Sequence, residues 1–150
     1  MNQPVSKDEE SNQQTTARIN ELLRFLPLFE EPRRSFITQW TKGKTTADGA
    51  ITMPYPIYAE DVGEFFRLAG DPFWCDYAYN PTEAGKLLQD DAFIAQATLD
   101  EIKTLLTYCV RGERFCDGHW DSVLQSGRIT VILHRLTALA HTLDEQDDTK

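Results

Sequence analysis

Apolar residues along this chain recur mostly at three- and four-residue intervals, the spacing that lines one face of an α-helix. Ile19, Leu22, Leu23 and Leu26 follow a threonine pair in TTARINELLRFL, and Pro27 then interrupts the pattern. Val62, Phe65, Phe66 and Ala69 repeat the spacing over Tyr58 to Ala69, with Gly70 placed to end it. In the last third, Thr98 stands at an N-cap with Glu101 three residues on, a capping box, ahead of a face built from Ile102, Leu105, Leu106 and Cys109. Gly112 ends that helix. A second, from about Glu113, presents Phe115, Trp120, Val123 and Leu124 and stops at Ser126-Gly127. A third, Arg128 to Leu143, carries the broad stripe Ile129, Ile132, Leu133, Leu136, Leu139, Ala140 and Leu143.

Between these helices the periodicity weakens. Pro32 suits the first turn of a short second helix carrying Phe36, Ile37 and Trp40. TKGKTTADGAITM, from Thr41, has turn chemistry instead, with Asp48-Gly49 as a tight turn, and predicts a hairpin or an ordered loop. Met53-Pro54-Tyr55-Pro56 must be extended, because each proline fixes its own φ and biases the residue before it away from helix. DPFWCDYAYNP gathers Phe73, Trp74, Tyr77 and Tyr79 in an irregular segment ahead of a short helix from Pro81 to Leu88. The expected fold is all-α: one compact domain over residues 15–143 with six or seven helices and an irregular or hairpin segment near 41–56. Residues 1–14 and 144–150 are expected to be flexible polar tails.

Composition supports a packed globule: 150 residues with 41% hydrophobic and 11% aromatic content can bury a core without disulfide or metal support. The net charge of −9 lies mostly at the ends, where Lys7 faces Asp8, Glu9 and Glu10, and Lys150 faces Asp144, Glu145, Asp147 and Asp148. The mildly acidic body offers no electrostatic footprint for nucleic acid or anionic lipid. A helix, Gly turn, helix outline suggests DNA reading, but Glu113, Asp117 and Asp121 would repel phosphate where a recognition helix needs cations. Three cysteines without a C-x-x-C pair, a polar N-terminus and no long apolar run predict a cytoplasmic chain with reduced thiols.

Candidate chemistry concentrates in RGERFCDGHWDSVLQSG, Arg111 to Gly127. Cys116 and His119, three apart, could share a helix face with Cys109 nearby, but no finger or ribbon spacing supplies a fourth zinc ligand, and no metal site is expected. Cys116 with a histidine base, or Asp117 with His119, could do nucleophilic or acid/base work, yet no orienting third group or oxyanion site is identifiable. Neither phosphate-binding glycine pattern occurs, and no cofactor is implied. The plainer reading makes the stretch a Gly-delimited helix. Glu113 then favours the dipole, Arg114 pairs with Asp117, Phe115 and Trp120 dock inward, and both Cys109 and Cys116 are small buried hydrophobes. The candidate ligand or partner site is therefore Arg111, Arg114, Asp117 and His119 beside Trp74 and Tyr77. Absence of a complete catalytic set favours a regulatory or interaction module with a protein partner. The alternatives are a small-molecule binder or enzyme using that site, and an acidic mimic of nucleic acid for a basic protein.

Two blocks, MPYPIYAEDVGEFF and LLTYCVRGERFCDGHWDSVLQSGRITVILHRL, occur in that order between Met53 and Leu139. In this the chain resembles an uncharacterised bacterial family, domain of unknown function 6508. The resemblance implies a compact, largely helical domain. It carries no catalytic role to Arg111, Arg114, Phe115, Cys116 or Gly118.

Overall fold

The computed structural model describes residues 7–148. Among them the helices are α1 (Lys7–Leu23), the single turn α2 (Leu26–Phe29), α3 (Glu60–Ala69), α4 (Pro81–Leu88), α5 (Asp91–Ala95), α6 (Leu99–Gly112), α7 (His119–Gln125) and α8 (Arg128–Asp148). Four short strands, β1 (Ile37–Trp40), β2 (Lys44–Thr45), β3 (Ile51–Thr52) and β4 (Pro56–Tyr58), stand between α2 and α3. The mostly helical fold is thus as expected. Helix also extends into both stretches read as polar tails, through Lys7 to Gln14 and Asp144 to Asp148, where strong helix formers are not interrupted by glycine or proline. The rest of those tails lies outside the described residues.

The apolar stripes of α1, α3, α6 and α8 meet in one core. Ile19, Leu22, Val62, Phe65, Ile102, Leu105, Leu106, Ile129, Ile132, Leu133 and Leu136 are wholly enclosed there. Phe25, Phe29, Phe65 and Phe66 add a chain of edge-to-face and stacked rings, with successive centroids 5.0 to 5.9 Å apart. Side-chain caps fix the helix starts: Asn80 accepts from Glu83, Asp90 accepts from Phe93, and Thr98 and Glu101 complete the expected capping box.

One predicted helix is overturned. Residues 37–40 form β1, antiparallel to β4, rather than continuing from Pro32 as a helix. Arg33 takes a left-handed φ of 60°, which breaks helical propagation at its start, and the β-branched and aromatic residues of ITQW fit a pleated strand. With β2 and β3 pairing around Gly49, at φ 88°, residues 37–58 form a β-arm, the expected hairpin enlarged.

Candidate functional site

The junction of α6 and α7 differs from its sequence reading. Residues 113–118 are turn, not helix, and α7 starts only after Gly118, which holds φ at 89° where a side chain would be strained. Its cap comes from Glu113, outside the helix. One carboxylate oxygen accepts from the Trp120 backbone N–H at 2.8 Å and the Tyr58 hydroxyl at 2.7 Å, while the other accepts from the Gly118 N–H at 2.9 Å. Burial, reinforced by Glu113, pushes the Tyr58 phenol well above its usual ionisation range. Trp120 completes the lock by donating its indole N–H to the Val110 carbonyl at 3.1 Å and stacking on Phe66 at 4.4 Å.

With α7 fixed, His119 lies over α6. Its ring meets Tyr108 edge-on, centroids 5.2 Å apart, and a Cβ added at Gly112 would fall 2.2 Å from the imidazole Cδ2. Only a glycine permits that approach. Tyr79 and Pro81 complete the opposite wall of a cavity of about 400 Å³, with Tyr108, Gly112, His119, Cys116 and Phe115 on the other sides. Tyr79 is positioned by the irregular aromatic segment, which α6 anchors: Thr107 accepts from the Asp76 N–H at 2.9 Å, and Thr104 donates to the Asp76 carboxylate at 2.7 Å.

Of the residues singled out from sequence, His119 lines the cavity, and the Arg111 guanidinium lies 5.4 Å from the ring of Tyr79 and 5.9 Å from that of Tyr77. Tyr77 is exposed beside it. Trp74 is 1% exposed and packs edge-on against Phe73, so it belongs to the core. Arg114 and Asp117 are exposed, and among the described residues no ion pair joins them, because a turn does not put positions three apart on one face. Two further expectations are corrected. Phe115 does not dock inward but is 84% exposed at the cavity rim, and Cys116 is exposed rather than buried. Both follow from the same loss of helix at 113–118. Cys109 is enclosed as expected, its thiol pushed up to about 12 by burial. No three His, Cys, Asp or Glu side chains among the described residues are placed to hold a metal.

Tyr79, Tyr108, Pro81 and Gly112 were missed from sequence. One signal was present, since Tyr108 and Gly112 are four apart on α6 and so leave a notch beside an aromatic ring. What fills the notch comes from α7, and no local pattern encodes that docking.

His119 also makes a pH prediction. Burial lowers its pKa, with Glu113 opposing more weakly, and its Nε2 is buried without a hydrogen-bond partner among the described residues. Below about pH 6.5 the unfolded chain binds a proton that the folded ring resists, so stability falls as pH drops through that range and this contribution levels off below the lowered folded value. Thermal unfolding of wild type and His119→Gln between about pH 8 and 5 should show a shallower acid decline in the variant.

The chain matches the profile of a family described as a family of unknown function, DUF6508, over residues 14–142. It belongs to that family. The match takes in α1 from Gln14 onward, upstream of the blocks that carried the resemblance. No curated protein and no solved structure matches the chain. No helix among the described residues is long and apolar enough to cross a membrane.

Proposed function

We propose that this DUF6508 member binds a small planar molecule in the aromatic cavity between α4, α6 and α7. The observation that carries the reading is the convergence of Tyr79, Tyr108, Phe115 and His119 on one space of about 400 Å³, within the range of pockets that enclose small ligands. The four rings, Tyr79 from the aromatic segment and the others from α6, the turn after it and α7, supply flat faces and edges suited to stacking. Cys116 and His119 both line the space, but among the described residues no hydrogen bond joins the thiol to the imidazole, which favours binding over turnover. Gly112→Ala tests the site, because the new methyl must displace His119. With naphthamide as probe, saturation-transfer NMR should give ring signals from wild type, and the variant should lose about tenfold or more in affinity while retaining a folded spectrum. Undiminished binding by a folded Gly112→Ala protein would place the probe elsewhere and end this reading.

A second reading, the protein-interaction module, is favoured by the β-arm. Ile51 of β3, Ile57 of β4, and Met53 and Tyr55 in the extended link between those strands are all exposed, Ile51 at 73% and Met53 at 71%. Tyr55 bonds across to Thr41, which turns positions 54 and 56 to the outer edge, where two prolines offer no N–H for strand addition. The exposed apolar side chains, rather than the edge, are then the docking element. Lys42 and Lys44 outweigh Asp48 on this arm, so the fitting partner is a protein with an apolar groove and an acidic rim. Replacing Ile51 and Met53 together by serine should leave the unfolding free energy within about 0.5 kcal/mol of wild type and abolish retention of such a partner. Equal retention by variant and wild type counts against the arm.

A further inference from the structure

We infer that the ligand of the aromatic cavity is a planar aromatic carboxylate whose anionic group is held by Arg111 at the Tyr79 side; the inference rests on the pocket reading above. Among the described residues, Arg18, Arg24, Arg34 and Arg128 each have a carboxylate partner, and Arg135 donates to the Ala97 carbonyl. Arg111 has neither. It is half-buried on the last turn of α6, next to Gly112 in the cavity wall and three residues from Tyr108, hence on the same side of that helix. The rings of Tyr77 and Tyr79 lie 5.9 and 5.4 Å from its guanidinium carbon, an arrangement that can leave in-plane N–H groups available.

The nearest acid in sequence cannot neutralise it without cost, because Glu113 already accepts from Tyr58, Gly118 and Trp120. A planar carboxylate matches the fork of a free guanidinium. The remaining lining selects against a more highly charged group. No lysine borders the cavity, the first N–H groups of α7 are taken by the Cys116 carbonyl (His119) and by Glu113 (Trp120), and burial favours neutral His119. One cation, placed against the Tyr79 ring at the cavity's edge, fits a singly charged aromatic acid better than a phosphate dianion, which would leave charge uncompensated in a chain of net −9.

The test compares naphthoate with its neutral amide, naphthamide, by NMR titration of the full chain. Wild type should bind naphthoate about tenfold or more tightly than naphthamide, and raising the salt concentration should narrow that ratio. In Arg111→Gln the ratio should fall close to one, and in Arg111→Lys, which keeps the charge without the fork, it should be intermediate. A wild-type ratio near one overturns the carboxylate assignment while leaving the pocket reading intact. A preference that survives in Arg111→Gln also overturns it. Failure of both probes to bind wild type removes both readings, and the wild-type ratio decides the matter even if a variant does not fold.

Discussion

Trp120→Ala is expected to lower folding stability by about 3 kcal/mol, toward the lower end for large aromatic truncations because the indole is only half-buried. The ring contributes through three elements at once. It stacks on Phe66 of α3 at 4.4 Å with planes 4° apart, meets Tyr58 of β4 at 5.2 Å, and donates to the Val110 carbonyl of α6 at 3.1 Å. Removing it leaves a gap between elements that cannot close independently, together with a carbonyl that has lost its donor. Trp120→Phe separates the two contributions. It keeps much of the stacking area and loses the indole hydrogen bond, and should cost about 1 kcal/mol more than any packing change. Urea unfolding followed by far-ultraviolet circular dichroism measures both. The alanine variant should also bind naphthamide poorly, since His119 precedes the lost anchor in the first turn of α7. A loss below about 1 kcal/mol would show that α7 is held by something other than this indole.

The helices were legible because their signals are local. The Thr98 to Glu101 box, the Asn80-Pro81 start and the stripe from Ile129 to Leu143 each combine periodicity with a cap or breaker within a few residues. The misreading of residues 32–40 came from the same source. Phe36, Ile37 and Trp40 have helix-compatible spacing, but strand pairing with Pro56 to Tyr58, nineteen or so residues away, decides their conformation. Short apolar runs are ambiguous when their partner is distant.

For the candidate site, the proximity of some of its residues was legible and their local geometry was not. His119 lies in the cavity wall, and Arg111 lies against the rings of Tyr77 and Tyr79. The error lay in extending helix through 113–118. Helical spacing would have turned Phe115 inward and paired Arg114 with Asp117, whereas the turn sends Phe115 to the rim and separates the charges. Gly118, taken within a helix from sequence, was the available warning: a glycine just before a well-patterned HWDSVLQ segment is also where a new helix can begin.

Glu113 is the residue whose role changes most between the two views, and Glu113→Gln should cost about 2 kcal/mol. The carboxylate receives three donors, and an amide cannot serve all of them. If its oxygen keeps Tyr58 and Trp120, its NH2 faces the Gly118 N–H, donor against donor. The negative charge at the start of α7 is lost as well. Two readouts distinguish this from a general loss of packing. The Tyr58 phenol should ionise at lower pH, because one of the influences holding it up is gone, and near-ultraviolet titration of tyrosinate detects that shift. The His119 pKa should move further down, because Glu113 favours the protonated ring, and ¹H–¹⁵N spectra of the imidazole report it. Tyr58→Phe closes a double-mutant cycle in which the paired effects fall short of additive. Strict additivity, with the Tyr58 titration unchanged, would mean that Glu113 and Tyr58 do not share a hydrogen bond in solution, and the α6–α7 turn would need another anchor.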